Sequence, residues 1–459
     1  MMDWFFTAPY EKTAVRRGDP LGMRSFAEEM AERLAPGLSN RTMDGRWLSI
    51  LCWALQQSNE AWQVLGVGTN DEHVTTGEAD RELYSYLRPL EILWLARTVE
   101  NTSDHGKGRQ VPGVRAVRRW TDGGHGLERF GFSPDSYARY RFTGVYGAYR
   151  VALRSLPGLT TGGDGWRVGP VGRDFAEIVS GKVQCSRTHH RRRGKRSTPE
   201  QYWQRKFEWN KGPFEFLPTA ISKPERLIGS EGKLLERAVF LGPQTKDVEC
   251  RHGIRRRAVV EAAAKSSATT RHGLFADIAR TLGGGKPLDE IALLSPFCEL
   301  ADAGIAAMNA CWAAVREGGS AGFANASDVL DCIDVADAFD VLTETARRWQ
   351  SERSNSGSAI AVADALAESV IGAGGNRKRR FQALERHHNQ FGSGLKWLAL
   401  EGATIKLLAP IRGGDAGQYQ FRIGALCRLG VQAGIISAMP DSLRQSPEFA
   451  DEGDEEDTG

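Results

Sequence analysis

The sequence predicts a mainly α protein in which helical modules flank a central domain patterned like a winged helix-turn-helix. Three observations carry that expectation. Apolar residues recur at helical spacing through the first hundred residues and again beyond about residue 258. Between those stretches, a helix, a turn, a second helix, an exposed loop, a short strand and a third helix follow in order. From 101 to 260, 31 Lys and Arg face 15 acids, a surplus of 16 positive charges, while the rest of the chain carries an excess of 13 negative ones. The net charge of +3 hides this asymmetry.

The N-terminal module is placed at 1–100. Its first helix begins near Leu21 after Pro20, runs through Phe26, Met30 and Leu34, and is ended by Pro36-Gly37. A second, Thr42 to Asn59, is apolar on nearly every face through Trp47, Leu51 and Trp53, as befits the centre of a bundle. A third, Asp80 to Val99, carries Leu83, Tyr84, Leu87, Leu90 and Trp94, with Pro89 expected to kink it.

The basic region is placed at 101–260, after the polar, Gly-containing stretch Asn101 to Gln110. Ser133-Pro134 opens a helix reaching Phe142, Thr143-Gly144 turns the chain, and Val145 to Ser155 forms the second helix before Pro157-Gly158. Thr160 to Gly165 reads as a wing loop, Trp166 to Val168 as a strand, and Gly172 to Val179 as a helix. At 100° per residue, Arg139, Arg150 and Arg154 share a strip beside an apolar face of Phe142, Tyr146, Tyr149 and Leu153. An amphipathic helix pair with ordinary solvated arginines produces the same pattern. Farther on, Arg187 to Arg196 is too polar to pack, and Arg255-Arg256-Arg257 closes the region. Tyr202, Trp203, Phe207 and Trp209 lie close by, either as stacking platforms for bases or, for Trp203 and Phe207 four residues apart, as the buried face of a helix.

A helical C-terminal module is placed at 261–440, with helices expected at Leu274–Leu282, Leu288–Leu294, Cys298–Arg316, Ser327–Gln350 and Ala359–Ile371. Arg377 to Arg380 begins another helix or its preceding loop, Thr404 to Leu408 alternates like a strand, and Gln418 to Gly434 reads as the last helix. An acidic disordered tail is placed at 441–459.

Length and composition set outer limits. At 459 residues and 41% apolar, the chain has ample core for two to four domains. Its nearly unbroken apolar run Trp47 to Leu55 is far shorter than the roughly 20 residues that span a bilayer. Met1 to Tyr10 lacks a signal-peptide pattern, and the seven scattered cysteines form no disulfide framework. A cytoplasmic protein with no membrane partner is therefore expected.

Catalytic signals are weak. Gly283-Gly284-Gly285-Lys286 has Pro287 where a phosphate loop places its hydroxyl, and Gly318 to Gly322 follows a helix where an esterase elbow requires a strand. Cys185, His189 or His190, Cys250 and His252 are zinc-ligating types at irregular spacing. Asp328, Asp331, Asp334, Asp337 and Asp340 wind around their helix, so that only neighbours such as Asp331 and Asp334 can share an ion. His387-His388 beside Arg386 reads as an extension of basic surface. No catalytic residue, metal ligand or cofactor is assigned, and the chain is expected to be non-enzymatic.

The order Asp19-Pro20-Leu21-Gly22, Phe26-Ala27, Pro36-Gly37, Thr42, Arg46-Trp47 and Trp53 resembles the start of an uncharacterised bacterial family associated with anti-phage defence islands beside helicases and methyltransferases. Gly113, Arg118, Trp120, Ser133-Pro134 and Tyr137 are similar to its second block. The likeness covers about the first 140 residues and implies a genomic context rather than a chemistry. Together these readings give a DNA-binding, non-catalytic component of a bacterial multi-protein defence system, duplex favoured. Arg139, Arg150 and Arg154 would meet backbone or groove, Arg167 would sit at the wing, and Arg191, Arg192, Arg193, Lys195 and Arg196 would grip phosphates. The alternatives are a metal-dependent nuclease subunit and a structural adaptor for partner proteins.

Overall fold

The computed structural model describes residues 18–64, 83–92, 94–95, 113, 144–161, 165–181, 203, 226–241, 248–283, 290–319, 322–356, 360–394, 396–408, 417 and 419–444. The protein is mainly α, as the periodicity requires. In chain order the helices and strands are α1 (Arg24–Leu34), α2 (Arg46–Val64), α3 (Val145–Ser155), β1 (Thr160–Thr161), β2 (Arg167–Val168), α4 (Pro170–Ser180), α5 (Ser230–Val239), α6 (Val248–Lys265) and α7 (Arg271–Leu282). A 3₁₀ turn, Ile291–Leu293, then leads into α8 (Leu294–Gly318), β3 (Phe323–Asn325), α9 (Ala326–Asp331), α10 (Ile333–Ser356), α11 (Ala361–Gly372) and α12 (Arg377–Phe391). The last elements are β4 (Leu398–Glu401), β5 (Thr404–Leu407), α13 (Ile423–Ala433) and α14 (Asp441–Arg444). Residues 83–92 and 94–95 are also helical. Two compact units result, each drawn from two stretches of chain: 1–29 with 283–419, and 30–282 with 420–459.

In the unit of 30–282 and 420–459, α2 is central. Trp47, Leu51 and Trp53 are buried, as a helix apolar on every face must be. The Asp44 carboxylate caps its start by accepting from the Arg46 N–H at 2.9 Å. It packs against α3, α4 and β2, while α13 packs against α5 and α6.

In the unit of 1–29 and 283–419, α8 packs against α10, α10 against α11, and α11 against α12. A three-stranded antiparallel sheet, order β3-β5-β4, sets Ala324 and Leu400 on either side of the buried Ile405. Residues 291–318 include a stretch long and apolar enough to cross a membrane, yet its most apolar window is 78% buried within the fold. That burial is what a bundle's central helix shows.

Two expected helices end differently. The run Ser327–Gln350 is two helices, broken at Cys332, whose ψ of 133° is extended. Counted along one helix, the buried Val329 and Leu330 would point about 200° away from the buried Val335, Phe339 and Leu342, and the break lets both sets face the core. The last long helix starts at Ile423 rather than Gln418 because Phe421 and Arg422 have positive φ, 50° and 62°, which no α-helix tolerates. Phe421 is held edge-on to Phe275 at 5.3 Å, and Arg422 by Glu32. At the tail, Asp441–Arg444 is helical with Leu443 buried.

The histidine pair is not surface. His387 and His388 are 3% and 4% exposed, and their rings bond the carbonyls of Leu21 (Nε2, 2.9 Å) and Pro20 (Nδ1, 2.8 Å). Burial lowers the His387 pKa from its ordinary 6.5. Below 6.5 the unfolded chain takes up a proton that the folded site resists, so this stabilisation is present above that pH and is lost as pH falls through the folded value. Thermal midpoints are expected to decline as the pH falls below about 6.5, and His387→Gln to flatten that decline. An unchanged slope in the variant would show that other groups control it.

Candidate nucleic-acid interface

Of the nine cations expected to meet phosphate, Arg150, Arg154 and Arg167 lie among the described residues. Arg139, Arg191, Arg192, Arg193, Lys195 and Arg196 lie outside them, as does the expected helix Ser133–Phe142.

Helix α3 occupies the expected span, Val145–Ser155. Gly144 precedes it, and the buried Glu91 carboxylate accepts from the first helical N–H, of Val145, and at 3.4 Å from that of Tyr146. This satisfies donors that a helix start leaves orphaned and places negative charge at the positive end of its dipole. Arg88 balances Glu91 at 3.0 Å, both side chains being buried. A Cβ on Gly144 would collide with both members of that ion pair. Farther along, the Tyr149 hydroxyl accepts from the Asp44 N–H at 2.8 Å and donates to the Asp44 carbonyl at 3.0 Å. Gln432 of α13 locks the same loop, donating to the Asp44 carboxylate at 2.8 Å and accepting from the Gly45 N–H at 2.7 Å. Burial drives the Tyr149 pKa well above its ordinary 10, so the hydroxyl remains a donor.

These anchors turn one face of α3 inward: Val145, Tyr146, Ala148, Tyr149, Ala152 and Leu153 are buried. Val151, Arg154 and Ser155 are exposed, with Gly147 and Arg150 half-buried. Arg150 and Arg154 therefore share the open strip, as their spacing requires. The Arg150 Nε is buried without a hydrogen-bond partner, and Arg150 makes no ion pair among the described residues.

Where a wing is expected, β1 and β2 pair antiparallel, Thr160 opposite Val168 and Thr161 opposite Arg167. Thr160 Oγ1 donates to the Leu153 carbonyl at 2.7 Å, and Asn59 Nδ2 of α2 donates to that of Trp166 at 2.8 Å. Trp166 stacks on Tyr146 with centroids 4.7 Å apart. Gly165 has φ 82°, and a Cβ there would meet the Arg154 stem at 2.8 Å, so only glycine lets Arg154 lie against the hairpin. Composition alone did not single out Gly165; its place after Asp164 in a Gly-rich loop was the available signal. Arg167 is exposed and, among the described residues, unpaired.

Other candidates resolve differently. In the second basic cluster, Arg256 is folded in rather than displayed, while Arg255 and Arg257 are half-buried. Arg256 is 1% exposed and donates to the Val239 and Pro36 carbonyls, each at 2.7 Å. Arg422 reaches the neighbouring Ala35 carbonyl at 3.4 Å, so two guanidiniums cover the chain leaving the C-terminal end of α1, where helix polarity favours cations. Burial lowers the Arg256 pKa to about 10, opposed by the Glu32 charge, and leaves it cationic at neutral pH. Arg257 is balanced by Glu261 at 2.9 Å and Glu236 at 3.3 Å. Trp203 is buried, its Nε1 donating to the Tyr86 carbonyl at 2.8 Å, so it offers no stacking face. Tyr202, Phe207 and Trp209 lie outside the described residues.

The five aspartates are exposed. Asp331 ends α9 and pairs with Arg377 at 2.9 Å, Asp334 belongs to α10, and Asp340 pairs with Arg380 at 2.5 Å. Among the described residues, no group of three or more His, Cys, Asp or Glu side chains gathers to hold a metal ion. His252 is exposed; Cys185, His189, His190 and the Cys250 side chain lie outside the described residues. Cys52 and Cys311 are buried thiols whose pKa burial raises, for Cys52 to about 12, as core cysteines should behave. Comparison with known protein families, with curated proteins and with solved structures gives no match to this chain.

Proposed function

We propose that the protein binds duplex DNA, without catalysing a reaction on it, through the open face of α3 and the adjoining β1–β2 hairpin. The reading is carried by one arrangement: half-buried Arg150 and exposed Arg154 along one strip of an anchored helix, with exposed Arg167 on the hairpin that abuts it. Tyr146, Tyr149 and Trp166, by contrast, turn into the core. Cations on a fixed surface suit a sugar–phosphate rail, because each neutralised phosphate releases counterions. Among the described residues of this unit no Phe, Tyr or Trp ring is exposed, which favours backbone contact with a duplex over stacking on single-strand bases. Arg191, Arg192, Arg193, Lys195 and Arg196 add charge beyond the described surface, and Arg139 extends the strip in sequence. The family resemblance in the first 140 residues supports a place among other subunits of a bacterial defence assembly.

Fluorescence anisotropy with a labelled mixed-sequence duplex of roughly 20 bp tests this. Affinity is expected to fall steeply between about 50 and 200 mM salt, each lost phosphate contact reducing the logarithmic slope by ~0.9. The variant Arg150→Ala/Arg154→Ala/Arg167→Ala should lower that slope by about 2 to 3. Affinity indifferent to salt, or a variant binding like the parent, would overturn the proposal.

A further inference from the structure

The strip of α3 that carries the two arginines also carries Val151, 44% exposed. At 100° per residue, Gly147, Arg150, Val151 and Arg154 fall within about 100° of arc. Among the described residues of this unit, Val151 and Ile228 are the large aliphatic side chains left exposed, and Val151 is the one that borders the arginine strip of an anchored helix. A β-branched residue is a poor choice for an exposed helical position on propensity alone. It does, however, present two methyl groups in one preferred rotamer, so little freedom is lost when they meet a partner. Gly147 has no side chain, which lets the helix backbone come close to whatever faces it.

Resting on the duplex-binding reading above, we propose that Val151 reads a thymine methyl group in the major groove, beside Arg150 and Arg154. The major groove admits an α-helix, and there each thymine displays its C5-methyl, an apolar mark that a small aliphatic side chain contacts directly. Arginine matches the O6 and N7 acceptors of guanine in the same groove. Eleven helical residues span about 16 Å. That length is enough for Arg150, Val151 and Arg154 to face neighbouring base pairs. The same contact separates DNA from RNA, since uracil lacks the methyl. Val151 is thus a specificity-determining residue, whereas Arg167 on the hairpin serves the backbone.

The test uses the full chain and a random-sequence duplex pool of roughly 20 bp, enriched over several rounds of binding. The parent protein is expected to enrich at least one thymine beside a guanine. In the selected duplex, replacing that thymine by uracil should weaken binding about fourfold, the effect of leaving one buried methyl unmatched. Val151→Ala, a better helix former whose side chain stops short of the groove floor, should bind both duplexes alike. Binding without enrichment, equal affinity of the parent for thymine and uracil duplexes, or a thymine preference surviving in Val151→Ala would each overturn the inference and leave duplex binding standing. No binding of any duplex at low salt would overturn both.

Discussion

Glu91→Ala is expected to cost about 3–5 kcal/mol of folding stability, read as a lowered midpoint in urea unfolding followed by tryptophan fluorescence. Two losses combine. Arg88 would be left a buried guanidinium without its counter-charge, and the first N–H groups of α3 would lose their acceptor. Glu91→Gln keeps the shape and one acceptor oxygen, so it should recover part of the loss. Because Glu91 fixes the start of α3, the Ala variant should also bind duplex DNA more weakly at temperatures where it is still folded. A midpoint within experimental error of the parent would mean that the ion pair is not what holds this helix.

Arg256→Ala is expected to be almost as damaging, about 3 kcal/mol by the same measurement. The substitution removes a side chain that is 1% exposed, opens a cavity, and strands the Val239 and Pro36 carbonyls inside the protein. Arg256→Met fills the space without the donors and should fall between the two, since the stem contributes packing of its own. DNA affinity of either folded variant should match the parent, because this guanidinium faces carbonyls rather than solvent. Weakened binding at unchanged stability would return the second basic cluster to the interface.

How much the sequence reveals depends on how local the cause is. Helix α3 is legible to the residue because Thr143-Gly144 and Pro157-Gly158 bound it, and β2 and α4 follow from equally close signals. The strip of Arg150 and Arg154 follows from spacing alone. The break at Cys332 is not legible from patterning that treats 327–350 as one run; it becomes so only when the two buried faces are compared. The fate of Arg256 and of the histidine pair is illegible for another reason. Their partners stand 220, 366 and 368 residues away, and a charged or imidazole side chain looks the same in sequence whether it meets water or a distant carbonyl. Val151 is hidden because one aliphatic residue in an amphipathic helix reads as core by default.

The path of the chain between its two units sets the timing of its maturation. The peptide passes from one to the other after residues 29, 282 and 419, so neither is a continuous piece. During synthesis at about 5–20 residues per second, Leu21 waits roughly 20 to 70 seconds before His387 emerges to receive its carbonyl. The loop that steadies Tyr149 likewise stays open until Gln432 has left the ribosome. An expression fragment cut at 282 would carry all of α3 and the hairpin yet lack their final brace, and is expected to need chaperones or to aggregate where the intact polypeptide does not.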